Sequence, residues 1–305
     1  MFAITFGMSS IIAVGLIWRL LLGSDQAELV RAQLARAVYS VFLPALVLHV
    51  MWQTPVNLDV LRIPVVAAAG ALLSLLVAAL IYGDGKRVGG GKAAGALLLA
   101  ASFGNVTYLG LPVLTQTFGP WAQSVAIQYD LFANTPLLFT VGIMLAGHFG
   151  SSQKPLHPLV ELFKVPALWA AVGGVLLSLT SVPMPEWLDR SLGVLGAAVV
   201  PLMLLSVGMA LRWQAGWFGR IPSLLPVMVI QLALMPLIVW GACIGVGMPE
   251  KLLAPAVIEG AMPCMVLGLV LCDRFKLDSS LYAEAVTLTT ILSLFTLPLW
   301  LKLIA

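Results

Sequence analysis

ASFGNVTYLGLP, residues 101–112, puts Gly104, Asn105, Thr107, Gly110 and Pro112 together inside one long apolar run. Proline lacks a backbone donor and crowds the preceding helical turn, while glycine favours unwound geometry, so a helix is expected to open here. A second apolar run carries EGAMP at 259–263, with the same consequence around Pro263. Each interruption lies 10–12 residues into its run, about 15–18 Å at 1.5 Å per residue. Backbone left open at that depth in a bilayer must be buried in protein or face a polar cavity.

The rest of the chain supports the bilayer setting. Of 305 residues, 61% are hydrophobic and 10% charged, and mean hydropathy is +1.04. Soluble domains average about 25% charged residues. A net charge of +3, scattered along the chain, gives no nucleic-acid footprint. Cys243, Cys264 and Cys272 lie in apolar stretches without metal-ligand spacing and read as core residues. No residue pattern implies a cofactor or a bound metal. The first basic residue, Arg19, follows the initial apolar run, so that run reads as a retained first helix.

Spans of about 20 apolar residues fit at Met1–Trp18, Ala37–Leu58, Ile63–Gly83, Ala93–Phe118, Trp121–His148, Val165–Pro185, Ser191–Leu211, Ile221–Pro249, Leu252–Cys272 and Ala285–Leu301. The uncharged run from Ala93 to Tyr129 is divided at Gly119-Pro120-Trp121, a turn signal. Connections after the odd-numbered spans carry Arg19, Arg31, Arg36, Lys86, Arg87, Lys92, Lys154, Lys164, Arg212, Arg220, Arg274 and Lys276. The opposite side carries only Arg62, Arg190, Lys251 and Lys302. This bias predicts odd connections in the cytoplasm and both termini outside. Trp18, Trp52, Trp121, Trp187, Trp213 and Trp300 fall near span ends, as interfacial anchors do.

The two halves share a register. A shift of 157 residues carries Pro44 onto Pro201, spans 2, 3 and 4 onto 7, 8 and 9, and position 106 onto Pro263. Five spans per half is odd, so the second copy (154–305) is expected upside down relative to the first (1–153). That arrangement is an inverted-topology repeat typical of secondary transporters. The expected fold is therefore an all-α membrane protein of ten helices, with broken helices 4 and 9 meeting near the midplane. Half-helix N-termini there suit a carboxylate, with Asn105, Thr107 and Tyr108 adding polar groups.

Asp130, Glu259 and Glu284 interrupt the apolar runs, with no Lys or Arg expected at comparable depth, and are candidates for the coupling-ion site, H⁺ or Na⁺. Gln128 and Asn134 are expected as polar neighbours of Asp130, and His49 as a hydrogen-bonded packing residue. Glu284, about two turns from the 274–278 connection, is close enough to that end to reach water.

SFGNVTYLGLPVL (102–114) resembles the helix-4 pattern of the auxin efflux carrier family, which includes the plant PIN auxin exporters and bacterial carriers for malonate, malate and similar acids. FLPALVL (42–48), PLMLLSVGMAL (201–211) and AMPCMVLGLVLCDRFKLD (261–278) are also similar to that family, as is TLTTILSLFTLPL (287–299). The resemblance covers nearly the whole chain. It implies a scaffold of helices 1, 2, 6 and 7 and a mobile unit of helices 3–5 and 8–10. Substrate would bind where helices 4 and 9 cross, at Asn105, Thr107, Tyr108, Pro112, Met262 and Pro263, and be carried by an elevator-like movement. It also implies a location in the bacterial inner membrane and raises a homodimer through helices 2 and 7. The sequence departs from the plant proteins in two ways. The connection between helices 5 and 6 is short, and Met262 stands where the plant exporters have an asparagine, which favours an acid other than auxin.

The expected function is carriage of a small organic anion, with a sodium-coupled symporter of the bile-acid type as the alternative within transport. A receptor or sensor is the alternative from another class, although every connection is short. No GxSxG, HExxH, paired catalytic aspartates or phosphate-binding loop marks an enzyme.

Overall fold

The computed structural model describes residues 2–55, 59–151, 157–212 and 217–304. Lys154, Trp213, Leu58, the half boundary at 153/154 and the outer ends of the first and last segments (Met1, Ala305) lie outside the described residues. Among the described residues the chain is helical, and the single β-like pairing is an antiparallel bridge between Gly104 and Cys264.

Among the described residues, six helices are long and apolar enough to cross a membrane: Ser24–Gln53, Leu61–Tyr82, Pro120–Phe149, Glu186–Ala210, Trp217–Gly245 and Ser279–Ile304. Gly7–Leu22, Gly91–Ser102 and Pro166–Leu179 are shorter apolar helices. The fourth expected span is not one helix. Helix Gly91–Ser102 ends, residues 103–105 are non-helical, and a π-helical turn, Val106–Gly110, leads into Leu111–Phe118. The ninth is likewise divided into Glu250–Gly260 and Gly268–Phe275.

One boundary is corrected. Residues 24–36 read as a connection, yet they form the first turns of a helix that continues to Gln53. SDQAELVRAQLARA is rich in strong helix formers, and Glu28 pairs with Arg31 one turn on. Hydropathy is blind to a polar helix that lies beyond the apolar core.

Prolines shape four long helices by a common device. π-Helical turns at Val38–Phe42, Val106–Gly110, Asp130–Asn134 and Ile230–Leu234 each end two residues before Pro44, Pro112, Pro136 or Pro236. The residue before each proline donates its N–H one position further back than in an α-helix, to Val38, Val106, Asp130 or Ile230. This widening makes room for the ring and leaves the carbonyl four residues before the proline without its usual partner. At Pro236 that carbonyl belongs to Leu232, and the Trp300 indole donates to it at 2.8 Å.

Packing between the halves is reciprocal. The Phe2–Leu22 helix lies against Val199–Ala210, and Pro166–Leu179 lies against Leu43–Gln53. At the first crossing the backbones nearly touch: a methyl carbon placed on Gly208 would fall 2.0 Å from the Ile12 carbonyl oxygen, and one on Gly15 2.3 Å from that of Leu205. Asp59–Tyr82 packs on Gly91–Ser102, and Met235–Gly245 packs on Glu250–Gly260.

Candidate functional site

The two interruptions lie side by side and hold each other by backbone hydrogen bonds. The Asn105 N–H donates to the Pro263 carbonyl at 2.7 Å, and the Met265 N–H to the Phe103 carbonyl at 2.9 Å. These close the bridge between Gly104 and Cys264. The unwound backbone thereby recovers part of the bonding it lost, as a buried polar group must. Side chains complete the repair. The Cys264 N–H donates to Thr289 Oγ1 at 3.1 Å, and the Tyr282 hydroxyl to the Met265 carbonyl at 2.7 Å. Two amides arrive from π-helical turns: Asn134 donates to the Gly104 carbonyl at 3.2 Å and Gln231 to the Met262 carbonyl at 2.9 Å.

Gln231 is absent from the sequence-level candidates. A single amide within an apolar run gave no pattern, although its cost in a bilayer was a usable signal. Thr135 was missed for a similar reason, because hydroxyls are common in membrane helices.

Beside this crossing lies a small cavity of about 40 Å³, lined by Asn105, Thr107, Tyr108, Asp130 and Thr135 among polar residues, with Tyr39 and Met265 on its wall. Asp130 is buried and accepts bonds from the Thr107 hydroxyl, from Thr135 at 2.9 Å and from Asn134 at 3.4 Å. Asn105 Nδ2 is buried without a hydrogen-bond partner among the described residues. The first N–H groups of the helix that starts at Val106 have no intrahelical acceptor and concentrate positive potential at that end. Of the expected residues, then, Asn105, Thr107, Tyr108, Asp130 and Asn134 are brought together. Met262 and Pro263 take part through their carbonyls. Pro112 is buried in the first turn of Leu111–Phe118 and does not line the cavity.

Three expectations fall elsewhere. Gln128 lines a larger cavity of about 510 Å³, with His49, Gln53, Trp121, Gln123 and Lys251. His49 packs as expected, bonded to Asp189 at 2.8 Å and to Gln53 at 3.1 Å. Glu284 is buried but does have a cation beside it. Arg220 approaches its Oε1 at 3.5 Å and Ser280 Oγ at 3.0 Å. The expectation that no basic residue reaches that depth is corrected here, because a long arginine side chain reaches inward from the end of its own helix. Glu259 is fully buried and lies away from the small cavity's lining, its carboxyl group against Gly110.

Several apolar membrane-length helices, together with an unwound, internally bonded pairing beside a mostly apolar cavity that holds a few polar groups, fit a membrane transporter. Comparison with known proteins bears this out. Residues 18–301 match the family described as Membrane transport protein, and the chain belongs to that family, the auxin efflux carriers. It is similar to an uncharacterized transporter of Methanothermobacter thermautotrophicus, 30% identical over 282 residues, covering 92% of this chain and 89% of the relative. An uncharacterized transporter of Methanocaldococcus jannaschii is 30% identical over 254 residues, covering 80% and 79%. The uncharacterized transporter YfdV of Escherichia coli is 23% identical over 208 residues, covering 66% and 65%.

Proposed function

We propose that the protein is a secondary transporter of a small organic anion, gripping a carboxylate at the crossing of residues 103–110 and 261–267. The observation that carries this reading is Asn105. Its backbone is tied to Pro263 while its amide donor is left unpartnered at the cavity wall, next to a helix N-terminus. Donors held in place before the ligand arrives cost little to reorganise and suit an anionic group. Tyr108 supplies a hydroxyl at the same wall, while the Thr107 hydroxyl donates to Asp130.

In this reading the chain is two inverted five-helix repeats, 1–153 and 154–305. The reciprocal pairing of the first helix in each half with the second helix of the other supports it. Helices 1, 2, 6 and 7 form the scaffold, and helices 3–5 and 8–10, which hold the crossing, move as an elevator. The basic-residue bias puts both termini outside the inner membrane, and the larger cavity, lined at 53–55, 120–124 and 249–252, is then the outer vestibule. A homodimer through helices 2 and 7 belongs to the same proposal.

A substrate carboxylate would share the small cavity with Asp130, and two anions there repel. Entry of the anion is therefore coupled to a cation, H⁺ or Na⁺, with Asp130 and Glu259 as the candidate sites. Glu284 has Arg220 beside its Oε1 and does not line the small cavity.

The test is uptake of radiolabelled malonate, malate, monocarboxylates and amino acids into proteoliposomes. Accumulation of a carboxylate that an excess of unlabelled compound competes away is expected. Saturable binding without accumulation would support a receptor instead.

A further inference from the structure

Two buried acids lie against the 106–110 turn, and their surroundings differ. Asp130 accepts from Thr107, Thr135 and Asn134, so a negative charge there is well met by donors. Glu259 is 0% exposed, and neither of its oxygens has a hydrogen-bond partner among the described residues. Its carboxyl group presses on the Cα of Gly110: a methyl carbon placed there would lie 2.0 Å from Oε2 and 2.8 Å from Oε1. Only a glycine leaves room for it. Glu259 also sits in the last turn of Glu250–Gly260, at the negative end of that helix dipole.

Among the described residues, the titratable groups around it add no positive charge. Tyr129 and Asp130 face it from the Pro120–Phe149 helix, and Cys243 faces Tyr129 from Met235–Gly245. The Tyr129 hydroxyl is itself buried and unpartnered. A carboxylate with no donor and no cation is far costlier to bury than a carboxyl group that holds a proton.

We propose that Glu259 is the proton-carrying site of the transport cycle. This deepens the carrier reading above and rests on it. A proton on Glu259 removes one of the two negative charges that an incoming carboxylate would meet here, Asp130 carrying the other. Protonation and anion binding thus favour each other, as linkage requires. The cycle balances simply: the Glu259 carboxylate takes H⁺ from water on one face of the membrane and returns it to water on the other, with no bond formed elsewhere. The larger cavity does not reach Glu259 itself, but residues near it in sequence line that cavity. Leu252, two turns before Glu259, and Gln128, next to Tyr129, both line it.

The test uses the full chain in proteoliposomes. Infrared spectroscopy reads the C=O stretch of a protonated carboxyl group directly. At neutral pH one such band is expected, lost in Glu259→Gln and kept in Asp130→Asn, and displaced in frequency by Gly110→Ala, which crowds the same group. In the transport arm, ¹⁴C-malonate and ¹⁴C-malate are the probes. One proton per anion makes each pH unit of gradient worth about tenfold in accumulation. Glu259→Gln is expected to reduce that factor to none when pH-driven uptake is divided by counterflow in the same vesicles. A band that survives Glu259→Gln, or that Gly110→Ala leaves unmoved, overturns the proposal. So does ²²Na⁺-gradient-driven uptake that Glu259→Gln abolishes. Absence of any counterflow by the unsubstituted protein would instead sink the carboxylate-carrier reading, while the infrared arm still decides the proton site.

Discussion

Gly208→Ala tests the packing that holds the two halves together. The added methyl carbon would lie 2.0 Å from the Ile12 carbonyl oxygen, against 3.4 Å for ordinary contact, so the crossing must open by about 1.4 Å. Both sides are helical backbone, and no side chain can turn away to absorb the clash. Overpacking of this kind costs about 1–3 kcal/mol. Alanine offsets part of that, because replacing glycine within a helix gains about 0.5–1 kcal/mol. Gly241→Ala is the matched control: it lies in Met235–Gly245 with nothing within 4 Å of the new carbon, so it should show the gain alone. The two variants should therefore differ by about 1–3 kcal/mol, the full overpacking cost. Reversible unfolding in mixed micelles titrated with dodecyl sulfate measures the gap. Gly15→Ala faces the same crossing from the other helix, so the double variant should lose less than the sum of the two single losses. Equal stability of Gly208→Ala and Gly241→Ala would refute the close backbone crossing.

Two further outcomes follow from the hydrogen bonds. Trp300→Phe keeps the ring but removes the donor to the Leu232 carbonyl freed by Pro236. For the hydrogen bond alone it should cost about 0.6 kcal/mol, the average for such bonds inside membranes, and at most about 1.7 kcal/mol, in the same unfolding assay. Asp130→Asn turns one acceptor into a donor facing the hydroxyls of Thr107 and Thr135. Hydrogen bonds to a charged group contribute about 1.5–3 kcal/mol each, so this variant should lose at least that much stability. Thr107→Val, which removes a single donor, should lose no more than Asp130→Asn; a larger loss would count against Asp130 as the centre of the cluster.

The membrane class and the places where helices 4 and 9 are interrupted could be read from hydropathy and from Pro112, Gly104 and Pro263, because both rest on local chemistry. The polar start of the Ser24–Gln53 helix could not, since hydropathy marks only what the bilayer must cover. Tertiary partners were likewise hidden. Arg220 and Glu284 are 64 residues apart, and neither position alone shows that the arginine reaches inward. At the site, Asn105, Thr107 and Asp130 were legible as polar exceptions in apolar runs. Gln128 and Asn134 looked equivalent beside Asp130, but Asn134, one helical turn away, points to its carboxylate and Gln128 to the larger cavity. The role of Gln231 depends on a carbonyl 31 residues away, which only the fold supplies.

The central claim is that a substrate carboxylate sits against the Asn105 amide. Asn105→Asp tests it most directly, because the side chain keeps its size while a donor becomes a negative charge in a cavity of about 40 Å³. Counterflow of ¹⁴C-malonate and ¹⁴C-malate is measured in proteoliposomes, with folding verified by the unfolding assay. The account predicts that Asn105→Asp abolishes counterflow while Gly241→Ala, with nothing within 4 Å of the added carbon, retains it. Counterflow in Asn105→Asp equal to that of the unsubstituted protein would contradict the account.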